Sequence, residues 1–315
     1  MVIKQLVYLL ALARERHFGA AAERCHVTQP TLSAAIRQLE EDLGVPIVER
    51  GNRFIGFTPE GERVIVHARR VVADCDAMRQ ELSEMRQGLT GHLRIGAVPT
   101  MLPILPLITG PFAALHPKVS IAVLSMTSIE IQKGLDDFTI EAGFTYLDNE
   151  PISHARATPL YREEYLLLTP SGGKLAERDA VTWAEGASMP LCLLTPDMQN
   201  RRIVDSVFRS VGCQPVPAVE TNSITNLCAH VNSGQWSTVM PHGLLSLIGL
   251  PEGTKALRLT EPEVSHVMGI VIADRDPPLP LARALFLLAP GLGLDAAIRQ
   301  RLPIKTGGGG AIFAV

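Results

Sequence analysis

The chain has 315 residues, a formal charge of −3 from 29 Lys+Arg against 32 Asp+Glu, and 46% hydrophobic residues. That length suits two or three domains, and 19% charged residues beside an ordinary apolar content exclude a disordered or fibrous chain. The overall charge advertises no nucleic-acid partner. Residues 1–58 carry seven basic groups against six acidic ones, so any DNA binding there must come from local placement.

No apolar run reaches the length of about 18 residues that a membrane-spanning helix needs. Lys4 followed by Leu6–Ala13 imitates a leader peptide, and a secreted solute-binding protein is therefore the competing reading. The five cysteines, at 25, 75, 192, 213 and 228, are odd in number and form no Cys-x-x-Cys. A reducing cytosol fits them, and a cytoplasmic chain is expected. The nearest redox pair is Cys192 with Cys213, against which stands the simpler reading of two structural thiols.

In chain order, residues 2–15 predict a helix with Leu6, Leu9, Leu10 and Ala13 on one face. Phe18-Gly19 interrupts it, and Ala20–Cys25 form a short Ala-rich helix that admits a close neighbour. Thr28 caps a third helix with Pro30 in its first turn; Leu32, Ala35, Ile36, Leu39 and Leu43 make its apolar face, and Gly44 ends it. The opposite face carries Gln29, Thr31, Ser33, Arg37 and Gln38, groups that donate to phosphates or read base edges. Two short helices, a tight turn and a polar first turn are what a helix-turn-helix requires. Ile47–Arg50 and Phe54–Phe57 then flank Gly51-Asn52-Arg53, a hairpin whose Arg50 and Arg53 form a wing able to lie along phosphates or enter the minor groove. On pattern alone, a solvated three-helix domain with an ordinary turn stays open.

Thr58-Pro59-Glu60 starts another helix. Along it Val64, Ala68, Val71, Cys75, Met78, Leu82, Met85 and Leu89 recur at alternating spacings of four and three, a heptad seam. At about 1.5 Å per residue it extends about 45 Å. So narrow a seam suits pairing with a second copy, and a dimer would present two recognition helices to two half-sites. The alternative is docking on the chain's own globular part.

Phe18-Gly19-Ala20-Ala21-Ala22, Val27–Ser33, Ile36–Glu40, Leu43-Gly44-Val45 and Thr58-Pro59-Glu60-Gly61 together resemble the N-terminal signature of the LysR-type transcriptional regulators, in order and spacing. The resemblance covers the chain to about residue 303, more weakly after residue 90. It implies an α/β protein with three parts: a winged helix-turn-helix over 1–58, a dimerising linker helix over 59–89, and an effector domain resembling periplasmic binding proteins over 90–303. Lobe I of that domain would be 90–162 with 267–303, and lobe II 163–266; 304–315 reads as a flexible Gly-rich tail. Carried over by position, Gln29, Pro30, Thr31, Ser33 and Arg37 touch operator DNA, with Arg50 and Arg53 from the wing. A homodimer, commonly paired into a tetramer, and RNA polymerase are the implied protein partners, with no membrane. Ala34 departs from the basic or polar residue many members hold, and Ile47-Val48 from the usual Leu-Phe. Trp236 replaces a family Gly, and an indole there narrows the cleft. Tyr146–Pro151 and the Trp236 segment are similar to regulators of formate dehydrogenase operons.

From residue 92 short apolar strands alternate with helices: 93–98, 104–115, 119–124, 129–135 and 140–144, then a second such unit from Tyr165 to Met240. The pattern predicts α/β sheets in two lobes with hinges near Arg162 and His266, a return strand Val267–Ala273 and one last helix from Leu279 to about Arg301. Ligands in such sheets sit beyond strand C-termini. Hydroxyls stand at those turns: Thr100; Ser125, Thr127 and Ser128; Thr145; and Thr195 in the other lobe. Exposed N–H groups and helix dipoles there favour a small anion, and the resemblance gives Thr100 and Ser128 positions that hold effectors. Each hydroxyl also reads as a simple helix cap.

No Gly-x-Ser-x-Gly, His-Glu-x-x-His, Walker A or Cys/His metal spacing is present. Ser171-Gly172-Gly173-Lys174 lacks the flanking residues of a phosphate cradle, and Cys25-His26 reads as packing. No catalytic residue, cofactor or metal is expected. The predicted function is a sequence-specific DNA-binding regulator switched by a small anionic metabolite held between two lobes.

Overall fold

The computed structural model describes residues 1–50, 54–175 and 177–301. Two compact units divide it, Met1–Gly91 with Asp136–Thr139, and the remainder.

In the first unit, α1 (Ile3–Glu15), α2 (Phe18–Arg24) and α3 (Gln29–Leu43) precede β1 (Val48–Arg50), β2 (Phe54–Phe57) and the long α4 (Pro59–Gln87). Local chemistry sets these boundaries. The Gln5 side chain accepts from Val2 N at 2.7 Å, and His17 Nδ1 from Ala20 N at 3.2 Å. Thr28 Oγ1 caps α3, and Gly44 ends it at φ +69°. Phe18-Gly19, read above as an interruption, opens α2. Leu9, Leu12, Leu32, Ile36 and Leu39 are wholly buried together with Ile47. Glu40 Oε1 accepts from Ile47 N (2.9 Å) and Val48 N (3.0 Å), tying the root of the hairpin to α3. Thr58 Oγ1 donates to Pro46 O at 2.6 Å and accepts from Gly61 N at 2.9 Å. Gly61 is required by that packing, because a Cβ there would lie 2.1 Å from Ile47 O.

The second unit contains β3 (Gly91–Ala97), α5 (Pro106–Leu115), β4 (Val119–Ser125), α6 (Ser128–Asp136), β5 (Ala142–Tyr146), β6 (Ala155–Pro170), β7 (Ala180–Thr182), α7 (Trp183–Ala187) and β8 (Cys192–Leu194). It continues with α8 (Gln199–Ser210), β9 (Val219–Thr221), α9 (Ile224–Asn232), β10 (Thr238–Pro241), α10 (His242–Ile248), β11 (Thr254–Thr260), β12 (Ser265–Ala273), α11 (Pro280–Leu288) and α12 (Leu294–Arg299). One strand path, β4-β3-β5-β12-β6-β11-β7, runs through both lobes, with β10 also on β6 and a separate parallel β8–β9 pair.

The sixteen-residue β6 is the spine. Residues 155–164 pair antiparallel with β12, and 165–170 pair with β10 and β11. The crossing falls where Val267 faces Arg162 and His266 faces Glu163, the two positions read above as hinges. The last helix differs from expectation: Pro290, Gly291 and Gly293 divide it into α11, a 3-10 turn and α12.

Candidate functional site

On α3, Leu32, Ile36 and Leu39 face the core, leaving Gln29, Pro30, Thr31 and Arg37 exposed and Ser33 half-buried. The Thr31 hydroxyl is shared with Thr28 at 2.9 Å. Arg50 contributes backbone at the end of β1, whereas Arg53 and the tail 304–315 fall outside the described residues. The heptad seam splits along α4. Val64 and Ala68 join the core of the first unit, while Met78 (57% exposed), Leu82 (56%) and Met85 (84%) are open. Leu89 is buried beyond the end of the helix.

In the second unit the N-terminal turn of α8, from lobe II, meets lobe I through three side chains. Thr145 Oγ1 donates to Gln199 Oε1 at 2.9 Å, and Gln199 Nε2 donates to Asn149 O. Asn200 Nδ2 donates to the Tyr146 hydroxyl at 3.0 Å. Arg202 grips Glu150 through Nε (2.6 Å) and Nη2, and Nη2 also donates to Ser128 Oγ at 3.2 Å. Its Nη1 is taken by Pro196 O and Asp197 O, which saturates the guanidinium. The hydrogen bond from Arg202 lowers the pKa of Glu150, and the same pair raises that of Arg202.

Glu163 lies beneath this turn, on β6 and without solvent exposure. Tyr146 donates to its Oε1, and Tyr161 to its Oε2 at 2.8 Å. Burial raises its pKa to about 7, against the pull of the two phenols. The tyrosines Tyr146, Tyr161 and Tyr165 are pushed well above the usual phenol range, first by burial and then by neighbours that include Glu163.

The predicted hydroxyls thus divide. Thr100 and Thr145 are wholly buried at this centre, and Ser128 stands in the Arg202–Glu150 clamp. Thr195 follows β8 in the loop that leads to α8, with Oγ1 buried and unpaired among the described residues. Ser125 is exposed at the end of β4, away from these bonds, and Thr127 caps α6 with Glu130. Sequence reading missed Glu163, Tyr146, Gln199, Asn200 and Arg202. A signal was available in Tyr161, Glu163 and Tyr165, whose period of two places a carboxyl on an inward face.

A cavity of about 330 Å³ opens beside the same hinge, lined in part by Leu160, Arg162, Glu164 and Arg299. Arg299 is held there by Asp295 at 2.7 Å and Glu164 at 3.4 Å. The cysteines are free thiols. Burial raises the pKa of Cys192 to about 11, and the neighbouring Cys228 thiol adds to the rise. Among the described residues no group of three His, Cys, Asp or Glu could hold a metal, and no helix is long and apolar enough to cross a membrane.

A helix-turn-helix unit with its polar face outward, followed by a two-lobed α/β unit with a polar centre at the lobe boundary, defines an effector-controlled DNA-binding regulator. Residues 3–62 match the bacterial regulatory helix-turn-helix protein, lysR family, and residues 86–289 match the LysR substrate binding domain. The chain belongs to the LysR family of transcriptional regulators. It is 29% identical over 278 residues to the DNA-binding transcriptional dual regulator OxyR of Escherichia coli (strain K12), covering 88% of this chain and 91% of that one. A probable hydrogen peroxide-inducible genes activator of Mycobacterium xenopi is 34% identical over 172 residues, 54% of this chain and 90% of that one. Among solved structures, a full-length OxyR variant from Pseudomonas aeruginosa superposes with a TM-score of 0.75 at 25% identity, covering 94% of this chain and 98% of that one. CbnR shares the fold at a TM-score of 0.67 and 22% identity, covering 93% of this chain and 100% of that one. The solute-binding alternative is not favoured: the apolar segment 6–13 lies within the matched helix-turn-helix region and packs as α1.

Proposed function

We propose that this regulator acts in the cytoplasm as a homodimer, paired into tetramers, reading an operator through Gln29, Pro30, Thr31, Ser33 and Arg37 with wing contacts from Arg50 and Arg53. The exposed Met78, Leu82 and Met85 of α4 support self-pairing, since a heptad seam left open is stabilised by a second copy.

In this reading the switch is a small carboxylate or comparable anion taken at the lobe boundary. The observation that carries it is the Arg202–Glu150–Ser128 clamp. An internal carboxylate already occupies a saturated guanidinium beside the N-termini of α6 and α8, where helix dipoles favour negative charge. An effector anion displaces Glu150 from Arg202 and rebuilds the contact between the lobes. Thr100, Thr145 and Thr195 supply neutral hydrogen bonds, and Ser125 lies outside the occupied region. A thermal-shift screen of small carboxylates on the full chain tests this. Glu150→Gln removes the internal competitor and is expected to tighten carboxylate binding; equal affinity in wild type and variant sinks the mechanism.

A further inference from the structure

The anion accounts for the Arg202 end of the α8 turn and leaves the Glu163 end unexplained. Glu163 is enclosed, and no Lys, Arg or His among the described residues pairs with it. His266, opposite it across the β6–β12 pairing, is taken by Asp148 at 3.1 Å. A buried carboxyl without a cation is costly to ionise, and two phenol hydrogen bonds offset that cost only in part.

Two hydroxyls beside it also lack partners. Thr100 Oγ1 and Tyr165 OH are buried and form no hydrogen bond among the described residues. Both stand near the Tyr146 hydroxyl. Buried hydroxyls left unpaired point to a group the protein does not supply. The walls are aromatic, with the His266 ring 6.2 Å from Tyr146 and 6.1 Å from Tyr165, edge to face. Aromatic faces around a carboxylate are chemistry for a cation.

One helix turn reaches both ends. Asn200 bonds the Tyr146 hydroxyl, itself on Glu163, and Arg202, two residues and a rise of about 3 Å further along α8, bonds Glu150 and Ser128. Resting on the reading of this boundary as the effector site, we propose that the effector is an amino carboxylate, its protonated amine held by Glu163 with Thr100 and Tyr165 and its carboxylate by Arg202 and Ser128. The two charges of one small zwitterion then bridge the hinge strand and the helix of the opposite lobe.

The test is calorimetric titration of the full chain with the standard amino acids at millimolar concentration, then with the des-amino carboxylate and the decarboxylated amine of the tightest binder. The expected result is at least about a tenfold loss for the des-amino analogue, the scale of one charge-assisted contact. Glu163→Gln is expected to bind the amino and des-amino compounds alike, with its folding checked by its melting transition. If that variant does not fold, the wild-type comparison decides alone. A des-amino carboxylate that binds wild type as well as its amino parent overturns this inference and leaves the anion reading intact. Absence of binding by every amino acid and carboxylate overturns both.

Discussion

The Thr100 hydroxyl is buried and forms no hydrogen bond among the described residues, so its contribution to the fold is unfavourable. Thr100→Val keeps the shape and deletes the polar atom. The variant is expected to melt no lower than wild type, by differential scanning calorimetry, while losing the transcriptional response to effector; an unchanged response removes Thr100 from the site. Glu163 carries the opposite signature. Its carboxyl titrates near 7 in the fold against 4.5 ordinarily, so between those values the native chain holds a proton that the unfolded chain releases. Stability attributable to this group therefore falls as pH rises from about 4.5 to about 7, and is level above that. Facing it are Tyr146 from β5, Tyr161 and Tyr165 from β6 and His266 from β12, with His242 of α10 against the Tyr161 ring. All remain in Glu163→Gln, so the difference between the two melting profiles isolates the carboxyl. Wild type is expected to lose up to about 3 kcal/mol relative to the variant across that window, and parallel profiles would refute the assignment.

The elements of the first unit were legible because their signals are local. Thr28 and Thr58 cap helices within three residues of themselves, and Gly44 stops α3 where the sequence places it. The spine strand β6 was legible only in its second half. No element is predicted over 155–164, where Arg156, Thr158, Pro159, Arg162 and Glu164 break any apolar run, and the partner that makes them a strand, β12, lies about a hundred residues on in the chain. Glu163 stayed hidden for the same reason: a carboxyl is seen as buried only once both neighbouring strands are in place. Thr100 and Thr145 could be found from strand ends, whereas the α8 side chains that meet lobe I depend on lobe packing. Two predictions belong to these elements. Gln29→Ala should relax base preference, whereas Arg53→Ala should weaken binding to all sequences and reduce the salt slope by about one contact, as read by operator titrations at several ionic strengths. Leu82→Glu, on the open part of α4, should halve the mass in sedimentation; an unchanged mass moves the interface elsewhere.

At the scale of the molecule, the Arg202–Glu150 clamp is, in the proposed anion reading, a competition between an internal and an external carboxylate. A ligand shifts that equilibrium only by its preference for one arrangement over the other. Glu150→Gln therefore reports on more than affinity, because it lowers the internal term and should raise the transcriptional response at low effector concentration.

The hinge gives that equilibrium its mechanical character. Because β6 and β12 stay hydrogen-bonded to each other through residues 155–164 and 265–273, the lobes are joined by a ladder instead of a slack tether. Any rotation of one lobe against the other therefore has to twist that ladder as a whole, and the proposed switch works against its stiffness.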